Sequence, residues 1–154
     1  SPGEFALFLR HHRAPAPWYR SHPMLKTDED LEGFLSKLDR HFERLESGTF
    51  LVAVGASLAP VALRVAPPVL VFQVAIGDAP SANPAIEAKV FRRLLELNAF
   101  DLMHAAYALE DGRIVLIASL ELENLDGNEL EAVLADMGMA QSKHVGMLRE
   151  LIKN

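Results

Sequence analysis

Two residues in the second half of the chain, Asp111-Gly112, constrain the fold more than any other feature. They sit between Leu102–Leu109 and Ile114–Leu122, two runs of strand-forming side chains. An Asp-Gly pair in that setting reads as a two-residue type I′ turn, because both central residues must take positive φ. The chain therefore contains an antiparallel hairpin, and an antiparallel sheet follows from it. Three further stretches have strand character: Phe50–Gly55, Pro60–Val65 and Val69–Ile76. Ser57–Pro60 and Ala66-Pro67-Pro68 punctuate them. Pro60 belongs at a strand edge or start, since it has no N–H to give to a ladder. In the third stretch Val69, Val71, Gln73 and Ala75 alternate with Leu70, Phe72, Val74 and Ile76, and both sets are largely apolar. One face of the sheet is expected to cover helices and the other to meet a second subunit or a client.

Helices surround these strands. Thr27 and Asp30 have the spacing of a capping box, and Asp28, Glu29 and Asp30 suit the positive end of a helix dipole. Leu31, Phe34, Leu35, Leu38, Phe42 and Leu45 then recur at three- and four-residue steps, which predicts one helix closed by Ser47-Gly48. Asn83 and Pro84 open a second helix that runs to Leu97. Its apolar positions, Ile86, Val90, Phe91, Leu94, Leu95 and Leu97, nearly encircle it, as expected of a helix buried on two sides. Asp126 and Glu129 have capping-box spacing at the start of a third. Leu130, Val133, Leu134, Met137, Val145, Leu148 and Ile152 form its stripe, with Gly138 and Gly146 as points of bending or close approach. The order is α-β-β-β-α-β-β-α, an α+β fold in which an antiparallel sheet is packed with helices.

Composition removes several functions. Half of the 154 residues are hydrophobic, too many for a disordered chain. Pro60, Arg64, Pro67, Pro68 and Gln73 break the longest apolar stretches well short of the ~18 residues of a membrane span. There is no cysteine, hence no disulfide and no thiolate chemistry. The net charge of −6 argues against direct nucleic-acid binding, which needs a basic face. Residues 1–5 read as a vector-derived scar. Residues 6–23 read as a flexible basic tail, with Arg10, Arg13, Arg20, three prolines and no acidic side chain. Residues 24–154, with 12 basic and 20 acidic side chains, are expected to be one domain.

Catalytic patterns are missing. The sequence has no nucleophile motif, glycine-rich phosphate loop or metal-ligand spacing, so no catalytic, cofactor or metal residue is expected. His11 and His12 belong to the tail. His41, His104 and His144 are far apart and read as structural, as do the carboxylate pairs Glu121/Glu123 and Glu129/Glu131. Lys89, Arg92 and Arg93 make a small basic spot on the second helix. Met137, Met139 and Met147 read as core filling, with an adaptable contact surface as the other use of such a cluster.

From Phe91 to Leu151 the chain resembles a known family. Leu94-Leu95-Glu96-Leu97-Asn98 closes a helix, then come Glu110-Asp111-Gly112, Ile114-Val115-Leu116, Leu120-Glu121-Leu122, and Leu125-Asp126 leading into Glu129-Leu130. This is similar to the "LLxxN … DGxxxL … L-x-x-L" run of the type III secretion chaperones and the related YbjN-like proteins. The resemblance implies a small cytoplasmic homodimer without a cofactor, not an enzyme, that binds a client protein in extended form. Its client would be a secreted effector or a cytoplasmic stress-response or DNA-repair protein, and an acidic chain suits a basic one. Under this resemblance Val90, Phe91, Leu94 and Leu95 form the dimer interface, and Phe50, Val52, Val54, Val61 and Leu63 contact the client. The alternative is a YbjN-like regulatory module that binds a small ligand between helix and sheet.

Overall fold

The computed structural model describes residues 25–153. The expected scar and tail, residues 1–23 with His11 and His12, lie outside the described residues. Helix α1, Asp28–Leu35, starts as its sequence requires. The Thr27 hydroxyl accepts from Asp30 N–H at 3.2 Å, and the Asp30 carboxylate accepts from Thr27 N–H at 3.1 Å. The helix is shorter than its apolar period suggests. Ser36 turns its hydroxyl back onto the Glu32 carbonyl (2.8 Å), and the chain leaves the helix there.

Phe42, expected on the helix stripe, begins strand β1 (Phe42–Arg44) instead. Strand β2 is Phe50–Val52, and Ser47-Gly48 turns the chain between these strands rather than ending a helix. Strand alternation puts Phe42 and Arg44 on the same side of β1. Phe42 meets the Phe50 ring at 6.3 Å, and the Arg44 guanidinium lies 5.5 Å over that ring. Arg44 also pairs with Glu29 and Glu32, fastening α1 to the sheet.

Strands β3 (Val61–Ala66) and β4 (Val69–Asp78) form the next hairpin, followed by helix α2 (Pro84–Phe100). Asn83 caps α2 by accepting from Ala85 and Ile86 N–H. Strands β5 (Ala106–Glu110) and β6 (Arg113–Glu121) are the Asp-Gly hairpin, with φ of 50° at Asp111 and 76° at Gly112, as a type I′ turn requires. Helix α3, Gly127–Lys153, completes the chain. All neighbouring strands are antiparallel in one six-stranded sheet of order β1-β2-β3-β4-β6-β5. The α+β fold stands, with β1 as one strand more than the sequence suggested.

One sheet face makes the core. Phe50, Val52, Val61, Leu63, Leu70, Phe72, Val74 and Leu116 point into it and meet Leu31, Leu35, Val90, Leu94, Leu97, Leu130, Leu134 and Met137 from the three helices. The long helix α3 comes close at Gly138. A Cβ there would lie 2.9 Å from the Val54 carbonyl oxygen, so only glycine fits without a shift. Gly146 has open space around it and marks no close contact.

Candidate interaction surface

Residue parity along the strands decides which side chains a partner can reach. Phe50, Val52, Val61 and Leu63, expected to touch a client, are fully buried in this protein's own core. Val54 is half-buried with its carbonyl against α3. That expectation is therefore corrected: the more apolar parity of β2 and β3 faces inward, where it gains most from leaving water. The opposite parity faces out. Glu43, Leu51, Ala62, Gln73, Ile117 and Ala106 are register partners in one row across all six strands. Leu51, Ala62, Gln73 and Ala106 are half-buried and Ile117 is exposed. Val71, Ala75, Ala108 and Val115 lie on the same face, and of these only Val115 is buried.

Helix α2 divides its apolar residues between two directions. Val90 lies wholly in the core, which corrects its expected role, while Leu94 is largely buried there and reaches a partner only through the floor of a groove. Phe91 is half-buried against the core. Leu95 keeps 69% of its surface in water and Phe100 90%. With Ala88, Arg92 and Ala99 these two form the outward face of α2, flanked by Lys89 and Glu96. Ala88, Arg92, Leu95 and Ala99 repeat at three- and four-residue steps, so they share one side of the helix. Beside this face, Phe91, Leu94 and Leu95 line an apolar groove of about 230 Å³ with Tyr107, Ala108, Leu109 and Ile114 of the hairpin.

Polar side chains tie α2 to the elements behind it. The Asn98 side chain accepts from Tyr107 N–H (2.7 Å) and donates to the Tyr107 carbonyl (3.2 Å). Asp136, buried on α3, accepts the backbone N–H groups of Met103, His104 and Ala105, the last two at 2.8 and 2.9 Å. His144, also buried on α3, bridges the Tyr107 hydroxyl (2.8 Å) and the Asp101 carboxylate (2.5 Å). Burial pushes the Tyr107 phenol well above its ordinary pKa, with the charges of Asp101 and Asp136 adding to the effect. It stays protonated and donates to Nδ1 of His144, so Nε2–H donates to Asp101. The hydrogen bond from His144, with Lys143 at 4.0 Å, holds the Asp101 carboxyl below the usual carboxylate range. His, Asp and Tyr here form a brace in which His144 is buried and Asp101 stays partly exposed.

The remaining residues singled out in the sequence stay apart. His41 is exposed. The His104 side chain is exposed too, and the residue meets a carboxylate only through its backbone N–H. Glu121, Glu123 and Glu129 are exposed, while Glu131 pairs with Arg40 at 2.8 Å. Arg93 is engaged by Glu96 and by the Met147 sulfur, leaving Lys89 and Arg92 as the exposed cations of α2. Met137 is core, and Met139 and Met147 are half-buried. Among the described residues no cluster of three or more His, Asp or Glu could hold a metal ion, and no helix is long and apolar enough to cross a membrane.

Comparison with known proteins gives this geometry a family. The family model CesT_Tir_1, of type III secretion chaperones, matches residues 24–154. The chain belongs to that family. Two solved structures share its fold. SpcU, from the heterodimeric complex ExoU-SpcU of the type III secretion system of Pseudomonas aeruginosa, superposes with a TM-score of 0.53. It is 23% identical over 80% of this chain and 96% of that one. YbjN from E. coli superposes with a TM-score of 0.51, at 15% identity over 81% of this chain and 88% of that one. Among curated proteins nothing matches. For this CesT_Tir_1 chain the likeness to SpcU and YbjN establishes the fold, a six-stranded antiparallel sheet with helices. The missed functional candidates are Phe100, Leu51, Ile117 and Asn98. Asn98 alone had a sequence signal, as the last residue of the Leu94–Asn98 motif.

Proposed function

We propose that this protein is a chaperone-like binder of a client polypeptide, acting as a cytoplasmic homodimer without catalysis of its own. The family's chaperone fold supports the class of function, and SpcU is a member of that fold solved in complex with another protein. The observation that carries the reading is the outer row of the sheet. A continuous, mostly uncharged strip from Leu51 to Ile117 lies on the face opposite the helix-packed core. Such a strip fits an extended apolar segment, and the net charge of −6 favours a client that is basic around it.

The second copy fits on α2. In an antiparallel helix pair centred near Leu94, Arg92 of one copy stands opposite Glu96 of the other, and Phe100 opposite Ala88. Large residues then face small ones and cations face anions, twice by symmetry. The proposed dimer contact is then Ala88, Arg92, Leu95, Ala99 and Phe100. A small-ligand regulator is the second reading: the groove between α2 and the hairpin holds only about 230 Å³, whereas an open hollow of about 550 Å³ lies beside Ala75, Gln141 and Arg149. Ligand pockets are commonly ~300–1,000 Å³ with a few convergent polar groups.

The test is affinity capture with the full chain from source-cell lysate, with mass spectrometry after a moderate salt wash. One dominant protein should be retained, and it should be lost with Leu51→Asp or Ile117→Asp while the melting transition holds. Capture undiminished by both variants would remove the outer row as the client site. No enriched protein would turn the search to small molecules by thermal shift.

A further inference from the structure

The sheet has two edges, β1 and β5, and an unpaired edge is a template for another strand. At β5 the template is almost gone. In an antiparallel ladder, alternate residues direct N–H and C=O toward the neighbour and away from it. Tyr107 gives both its groups to Asn98, so it points away from β6, and so does Leu109 two residues on. These are the outward-directed residues inside the five-residue strand. Asn98 satisfies one of them in the geometry of a strand partner, with a donor and an acceptor on one planar amide. An incoming strand would find the groups of Leu109 alone.

We propose that Asn98 is an edge guard: its amide closes β5 against strand addition by a second copy of this chain. The second copy is the relevant intruder because β5 is antiparallel-compatible with itself. Its neighbouring side chains Ala106, Ala108 and the exposed Leu109 offer no charge to repel a twin until Glu110. The guard is an asparagine rather than a lysine or proline, so the edge is blocked by pairing, not by repulsion. This role of Asn98 follows from sheet geometry and is independent of the client and of the α2 contact.

The experiment compares Asn98→Ala with Asn98→Ala/Leu109→Pro by sedimentation velocity over a wide concentration range. Both are made in a Leu95→Asp/Phe100→Asp background, which removes the proposed α2 contact. Asn98→Ala should self-associate at least tenfold more strongly than its parent. Proline at 109 removes an outward N–H without touching a β5–β6 bond and should reverse this. Folded Asn98→Ala that sediments like its parent at every concentration would overturn the proposal. Hydrogen exchange on the unmodified protein decides the matter even if Asn98→Ala fails to fold. The Tyr107 amide should exchange at least tenfold more slowly than the Leu109 amide, and equal rates would show that no guard operates in solution.

Discussion

Replacing Leu95 and Phe100 together by aspartate isolates the proposed dimer contact from the fold. Both side chains are mostly in water in one copy, with 69% and 90% of their surfaces exposed. Aspartate there removes no core contact, unlike a change at Val90 or Leu94, which are buried. Burying a Leu or Phe side chain is worth about 1.5–3 kcal/mol. A symmetric contact buries two of each, and part of that area stays at the rim, so the loss is about 6 kcal/mol. At 1.4 kcal/mol per tenfold, that weakens the dimer by about four powers of ten, before repulsion between the new carboxylates. Multi-angle light scattering at micromolar concentration should then report the mass of one chain for the variant and two for the parent. The urea midpoint, measured where the parent is largely monomeric, should be unchanged. A variant that keeps the dimer mass with an unchanged midpoint would refute the placement on α2, and a parent that is monomeric at high concentration would refute the homodimer.

Three other perturbations test the framework behind that surface. Asp136→Ala strips the charged acceptor from the N–H groups of Met103, His104 and Ala105 and should cost about 3 kcal/mol in urea unfolding, with Asp136→Asn milder. Gly138→Ala should destabilise by about 1–3 kcal/mol because its Cβ would press on the Val54 carbonyl, whereas Gly146→Ala, with open space, should gain about 0.5–1 kcal/mol from helix propensity. The carboxyls of Asp101, Glu29 and Asp30 are held below their ordinary pKa by hydrogen bonds from His144, from Arg44 and from the backbone N–H groups of Lys26 and Thr27, respectively. A depressed folded-state pKa adds stability that is present above the unfolded value and lost as pH falls through the folded one, so thermal melts should drop below about pH 4. Asp101→Asn should flatten that acid limb, and an unaltered limb would remove Asp101 from the account.

What the sequence disclosed was local. The Asp111-Gly112 turn, the Thr27–Asp30 box and the Asn83-Pro84 start each depend on a few consecutive residues, and each stands in the structure. The start of β1 was hidden by coincidence, since Phe42 and Leu45 continue a helical period that Ser36 has already ended. Strand alternation fixed which residues share a face but not which face a partner reaches. The larger apolar set of β2 and β3 went to the core, which leaves Leu51 and Ala62 for the proposed contact surface. On α2 the apolar residues surround the axis, and only the position of the sheet tells Val90 from Leu95. Asn98 with Tyr107, Asp136 with Ala105 and His144 with Asp101 join residues 9, 31 and 43 positions apart. The last two span separations that no local pattern encodes.

Those polar pairs explain how a chain of this size keeps large apolar side chains in water without losing the helix that carries them. An α-helix is ordinarily held by its buried stripe, and Val90, Leu94 and Leu97 supply one. The last turn of α2 has less to bury, because Phe100 points out. It is fixed instead from its far side: Asn98 binds β5, and Asp101, the C-cap, binds His144 on α3. Hydrogen bonds of this kind are directional and leave the opposite side of the helix free of any structural duty. The outward residues can therefore be chosen for a partner alone. Substitutions at Leu95 or Phe100 should separate binding from folding, whereas substitutions at Asn98, Asp101 or His144 should couple the two, loosening the end of α2 and with it the surface presented to a second chain.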